Sequence, residues 1–137
     1  MEIYNSDYSV IMQQPRDNLL ISSWKSRSSE LDEDGVKKEM LMLLDNTREF
    51  HPTGILADTR EFYFDIDQKM QDWIVKHLIS EIIELGVHKY AIVVTEDSYK
   101  YLSRELIEEE TFDNFSIQYF TDHEKALAWL KKDRADS

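Results

Sequence analysis

The chain has 137 residues, 42% of them hydrophobic and 12% aromatic, with three Gly, two Pro and no Cys. That length and composition fit one packed domain over 1–137, its core spanning about 8–132, and they exclude disulfides, thiolate metal sites and a cysteine nucleophile. Acids outnumber bases by 28 to 16, a formal charge of −12 that repels phosphate backbones and anionic headgroups, so nucleic acid is not an expected partner.

The first twenty residues carry Asp7, Arg16 and Asp17 among mixed polar residues, which is not a signal-peptide pattern. No run approaches about 18 uninterrupted apolar residues, so no membrane insertion is expected and a cytoplasmic location is. Tyr8 to Gln13 is apolar and β-branched, and Leu19 to Trp24 follows after a turn through Pro15, Arg16, Asp17 and Asn18; the pair reads as an antiparallel hairpin. From about Ser29 to Arg48 the period becomes helical, with Val36, Met40, Leu43 and Leu44 on one stripe. Glu30, Asp32, Glu33 and Asp34 precede that stripe, where a helix N-terminus favours negative charge.

Thr53 to Asp58 is a continuously apolar strand ending in an acid, the pattern of a buried central strand. After Thr59–Phe64 comes a helix from about Asp67 to Leu85, with Met70, Ile74, His77, Leu78, Ile82 and Leu85 predicted on its inner face and Gly86 at a left-handed cap. Lys89–Thr95 is a further strand, Ser98–Glu109 a third helix and Phe115–Phe120 a last strand. Thr121 with Glu124 has capping-box spacing and opens a helix burying Ala126, Leu127 and Leu130. The expected fold is therefore α/β: a mixed five-stranded sheet, its opening hairpin followed by β-α-β-α-β-α, with about four helices packed more heavily on one face.

This order of elements, the strand Ile55-Leu56-Ala57-Asp58 and the closing Asp122–Leu130 run resemble the STAS-like domains, relatives of the bacterial anti-anti-sigma factors. A stand-alone, uncharacterised bacterial group of that family is the most similar. It has a Trp ending the second strand (Trp24), a Gln-x-Trp-Ile element in the second helix (Gln71-Asp72-Trp73-Ile74) and an Ala-x-x-Trp-Leu-like close. The resemblance covers about Tyr8 to Lys132 and implies a regulatory module acting through protein–protein contact, as a monomer or a homodimer, with an unknown protein partner. In anti-anti-sigma factors a Ser is phosphorylated in the turn after the central strand. Asp65-Ile66-Asp67-Gln68 stands at that turn here, so the hydroxyl is missing and a kinase-controlled switch of that kind is not expected. Asp65 and Asp67 read instead as caps of the following helix.

For chemistry, His51, His77, His88 and His123 show no metal-ligand spacing, and three glycines cannot build a phosphate loop or a nucleophile elbow. No catalytic residues, no cofactor and no metal are expected. Asp58 ends the central strand at the sheet's carboxyl edge, where α/β folds place ligands. With Arg60 it reads either as a polar anchor for a small molecule or, preferably, as an ion pair fixing the loop. In Phe62-Tyr63-Phe64, Phe62 and Phe64 are expected to turn inward and Tyr63 outward. Asp58, Arg60, Phe62, Tyr63, Phe64 and Asp65 are thus the candidate contact residues for a partner or ligand. Trp24, Trp73 and Trp129 are expected in the core or at a dimer seam. A second functional class is a carrier of a small apolar, lipid-like ligand, with Phe62, Tyr63, Phe64, Met40 and Met42 as lining.

Overall fold

The computed structural model describes residues 1–100, the backbone of 110–112, and residues 114–132. Seven strands form one sheet: β1 (Glu2–Asn5), β2 (Ser9–Gln14), β3 (Leu19–Trp24), β4 (Gly54–Asp58), β5 (Lys89–Val93), β6 (Glu110–Phe112) and β7 (Phe115–Phe120). Their spatial order is β1-β2-β3-β4-β5-β7-β6. Among the described residues four helices accompany them: α1 (Glu33–Phe50), α2 (residues 68–84), α3 (Glu96–Lys100) and α4 (His123–Lys131), with a 3-10 turn over Ser26–Glu30. Among the described residues no helix is long and apolar enough to cross a membrane.

The α/β class, the opening antiparallel hairpin and the parallel run β3-β4-β5-β7 are those the sequence predicts. The strand number differs, seven instead of five. The two additions, β1 and β6, have four and three residues and pair on one side only. Runs that short carry too little period-two alternation to be read from sequence. The helix expected over Ser98–Glu109 begins earlier, at Glu96; beyond Lys100 it lies outside the described residues.

Local chemistry accounts for each boundary. Asn18 takes a left-handed φ of 56° in the β2–β3 turn, a conformation Asn tolerates better than most residues. Asp32 caps α1 by accepting the Gly35 amide at 2.8 Å, and Asp67 caps α2 by accepting that of Met70 at 2.8 Å. Asp65, the other expected cap, is exposed and makes no cap. The cap of α4 is Asp122 rather than Thr121: its carboxylate accepts the amides of Glu124 and Lys125, with its negative charge at the helix N-terminus. Helix α2 ends at Gly86, φ 92°, where the Gly86 and Val87 amides donate to the Ile83 and Ile82 carbonyls. That paired bonding closes the helix in the left-handed way glycine permits.

Helix α2 contains a π turn over Val75–Ile79. The wider turn brings residues four to five apart into line, so Ile74, Leu78 and Ile79 all pack inward. His77 does not join them. Contrary to expectation it is exposed, its ring 5.5 Å from that of Trp73 on the helix flank.

Strand register divides the core in two. On one face Ile11, Leu20, Ile55, Tyr90 and Phe115 pack against α1 and α2; on the other Leu19, Ile21, Leu56, Ala91 and Val93 pack against Ala126 and Leu130 of α4. Both faces of the parallel strands are covered, which is why Ile55–Ala57 of β4 and Tyr90–Val93 of β5 are continuous apolar runs. Leu20 is fully buried on the face covered by α1 and α2. Leu20→Ala is expected to cost about 2–5 kcal/mol, the lost transfer energy plus a residual cavity; a urea midpoint unchanged from the parent would contradict this placement.

Candidate functional site

The face under α1 and α2 is built of cross-strand rows. Leu20, Ile55, Tyr90 and Ile117 form one; Ile11, Ser22, Ala57, Ile92 and Tyr119 form the next toward the carboxyl edge of the parallel strands. Ser9 and Trp24 pair in the row beyond. In the first row large side chains fill the space beneath the helices. In the second, two adjacent positions at its middle, Ser22 and Ala57, are small. The helices rest on the large residues and bridge the small ones, leaving a cavity of about 530 Å³ between sheet, α1, α2 and the β4–α2 loop. That volume lies within the range of small-molecule sites, about 300–1,000 Å³.

The helices contribute Met40 and Leu43 from α1, and Ile74, Val75, Leu78 and Ile79 from α2. Four of these lie at or beside the π turn. A π turn displaces the helix surface locally, and such turns recur where helices border functional sites.

The β4–α2 loop forms one wall. Thr59 fastens its start to β5, the amide and the hydroxyl both donating to the Val93 carbonyl at 2.8 Å. Ser28, wholly buried at 0% exposure, fastens its middle. Its hydroxyl donates to the Glu61 carbonyl at 2.9 Å and accepts the Tyr63 amide at 3.0 Å. Between these ties Phe62 turns into the cavity wall, its ring 4.5 Å from that of Trp24 and 6.2 Å from that of Phe64. Tyr63 points outward at 56% exposure. The inward–outward–inward alternation of the three aromatics is as the sequence predicts. Trp24 lines the cavity instead of closing the core; Trp73 and Trp129 are half-buried outside it.

The polar feature of the cavity is Glu39, a residue to which sequence reasoning gave no role. It is only 7% exposed and lines the cavity. Its Oε1 accepts the hydroxyls of Ser6 (2.7 Å) and Ser9 (2.6 Å), and its Oε2 that of Tyr4 (2.9 Å). Three donors from β1, β2 and the turn between them thus converge on one α1 carboxylate, which locks the edge hairpin onto the helix. Burial pushes the Tyr4 phenol above its ordinary range, and the bond to Glu39 and that residue's charge push it further. The signal was present: Glu39 sits three residues after Val36 and four before Leu43, on the apolar stripe, where an acid has no place without partners.

The other sequence candidates sit on the opposite face. Asp58 follows the parity of Leu56 and so faces α4. Its Oδ1 accepts the Arg60 backbone amide (3.2 Å) and Nε (3.0 Å), and its Oδ2 accepts a terminal Arg60 nitrogen at 2.6 Å. His123 Nδ1 lies 3.6 Å from Oδ2. The bidentate pair closes the start of the loop, the ion-pair arrangement favoured from sequence. Of the six candidates only Phe62 belongs to the cavity; Asp58 and Arg60 lie across the sheet from it, and Tyr63, Phe64 and Asp65 are not among its lining. Met40 lines it and Met42 does not. The histidines are dispersed: His51 at the left-handed end of α1, His77 beside Trp73, His88 Nδ1 at 3.1 Å from the Asn114 carbonyl, and His123 beside Asp58. Among the described residues no three His, Asp or Glu converge in a metal-binding group.

Burial raises the Asp58 pKa, but the side-chain and backbone hydrogen bonds from Arg60, its charge, and the His123 contact outweigh burial and leave the carboxyl below its ordinary value. A lowered folded value means the pair contributes stability above the unfolded aspartate pKa of about 3.9 and loses it as pH falls through the folded one. Asp58→Asn should therefore lower the thermal midpoint at about pH 7 and narrow the midpoint difference between about pH 7 and about pH 3; parallel profiles for parent and variant would refute it. Ser28→Ala leaves the Glu61 carbonyl and Tyr63 amide without their partner, at an expected cost of about 1–3 kcal/mol. Hydrogen exchange at the Tyr63 amide should speed up, and an unchanged rate would show that the tie does not hold the loop.

No protein-family model, no curated protein and no solved structure matches this chain.

Proposed function

We propose that this protein is a non-enzymatic binding module that holds a small, mainly apolar ligand between its sheet and helices α1 and α2. The observation that carries the reading is the cavity of about 530 Å³. Its floor is two strand rows, the second with small central residues, and its walls are aliphatic and aromatic side chains with a few polar groups, the composition typical of ligand sites. It lies at the carboxyl edge of the parallel strands, where α/β sheets bind their ligands. The STAS-like resemblance fits a sensor or carrier placed in a bacterial cytoplasm, with ligand occupancy in the place of the absent phosphoacceptor.

A protein-contact role is the second reading. Ile66 and Val75, both lining the cavity, are 37% and 61% exposed, and Tyr63 projects from the same loop as Ile66. Apolar groups gathered on a surface mark contact sites, so a partner protein or a second copy of this chain could read whether the cavity is filled.

Ile92 stands on the cavity floor and is half-buried, so Ile92→Trp should fill the space while leaving the fully buried core residues in place. Nile red, a neutral apolar dye, is expected to brighten with the parent and lose at least about 90% of that response with the folded variant, a tenfold affinity loss or more. Equal responses, or none from the parent, would reject the cavity as a binding site.

A further inference from the structure

From the cavity's charge we propose that its ligand is cationic: an apolar or aromatic body carrying a protonated amine, held at the Glu39 end. The inference rests on the binding role proposed above and narrows it to a class of ligand. Among the described residues, the lining includes two acids, Glu39 and Asp72, and no Lys, Arg or His. Glu39 has no cationic group within ion-pair distance among them either; its three partners are hydroxyls.

A carboxylate offers roughly four acceptor positions on its two oxygens. Ser6 and Ser9 occupy Oε1 and Tyr4 occupies one side of Oε2, so Oε2 retains acceptor capacity. The hydroxyls fix the carboxyl group and bring no positive charge to it. A ligand ammonium would supply an opposite charge together with its N–H donors. Charge-assisted bonds of this kind are about twice as strong as neutral ones.

The rest of the lining suits the same ligand. Trp24, Phe62, Tyr90 and Tyr119 all border the cavity, and aromatic faces attract cations while packing well against apolar chains. Asp72, tied to Gln68 by a bond of 3.0 Å, adds a second negative charge on an exposed stretch of α2, and the chain as a whole is strongly acidic. Such a field draws cations toward the opening and repels fatty acids and phosphates.

The test compares 4-phenylbutylamine, 4-phenylbutanol and 4-phenylbutyrate, one body with three head groups, by calorimetric titration against the full chain. The amine is expected to bind about tenfold or more tightly than the alcohol, and the carboxylate more weakly than either. In Glu39→Gln, with its fold checked by circular dichroism, the amine should lose much more affinity than the alcohol, closing the tenfold gap between them. The ranking on the parent protein decides the question even if that variant does not fold. An alcohol or carboxylate bound as tightly as the amine would overturn the cationic assignment and leave the cavity reading standing. Binding of none of the three would overturn both.

Discussion

Parallel strands in the middle of a sheet must bury both faces, because helices in the crossovers lie above and below them. In this chain that requirement falls on β3, β4, β5 and β7, and it is met unevenly. Helix α4 closes one face against Leu19, Leu56, Ala91 and Val93, packing Ala126 and Leu130 onto them. On the other face α1 and α2 rest on Leu20, Ile55, Tyr90 and Phe115, but one row further on they pass above Ser22 and Ala57. Helices cannot follow a step of two or three missing carbons over a single row, since their own packing surface is stiff. The gap becomes a cavity at the end of the sheet where the connecting loops are.

That packing difference separates stability from binding. The filled rows are where a truncation such as Leu20→Ala should cost most. The unfilled rows contribute less to the core and are bordered by parts of the chain that are held at discrete points. Thr59 and Ser28 tie the β4–α2 loop, the Asp58–Arg60 pair closes its start from the far face, and the π turn of α2 forms the opposite wall. A wall held at a few ties can admit a ligand without unfolding the sheet, because the strands below it remain paired.

Glu39 joins these two aspects. Its three hydroxyl partners pin the β1–β2 edge to α1, and the same carboxylate carries charge to the cavity. Accepting three hydroxyls on two oxygens already calls for a carboxylate, since an amide has one acceptor oxygen and a donor NH2. The acceptor capacity left on Oε2, beside a cavity without a cationic side chain among its described lining, is the basis for the proposed cationic ligand.

Period and spacing along the chain determined most of the architecture by themselves. The hairpin, the buried central strand Gly54–Asp58, the inner stripes of α1 and α2, the glycine that closes α2 and the Asp58–Arg60 pair all depend on neighbours a few residues apart, and such relations are written directly in sequence. Only the tertiary structure decided the rest. Edge strands β1 and β6 exist because β2 and β7 offer them free hydrogen-bonding groups. The π turn lies where α2 brings Ile79 into line with Ile74 over the sheet, and His77 lies outward. Cavity and carboxylate were legible only in part: Ser22, Ala57 and Glu39 each stand out locally as small or polar residues on apolar faces. Their meaning comes from strand register and helix docking, which set residues 30 to 35 positions apart side by side, and no local period encodes distances of that kind.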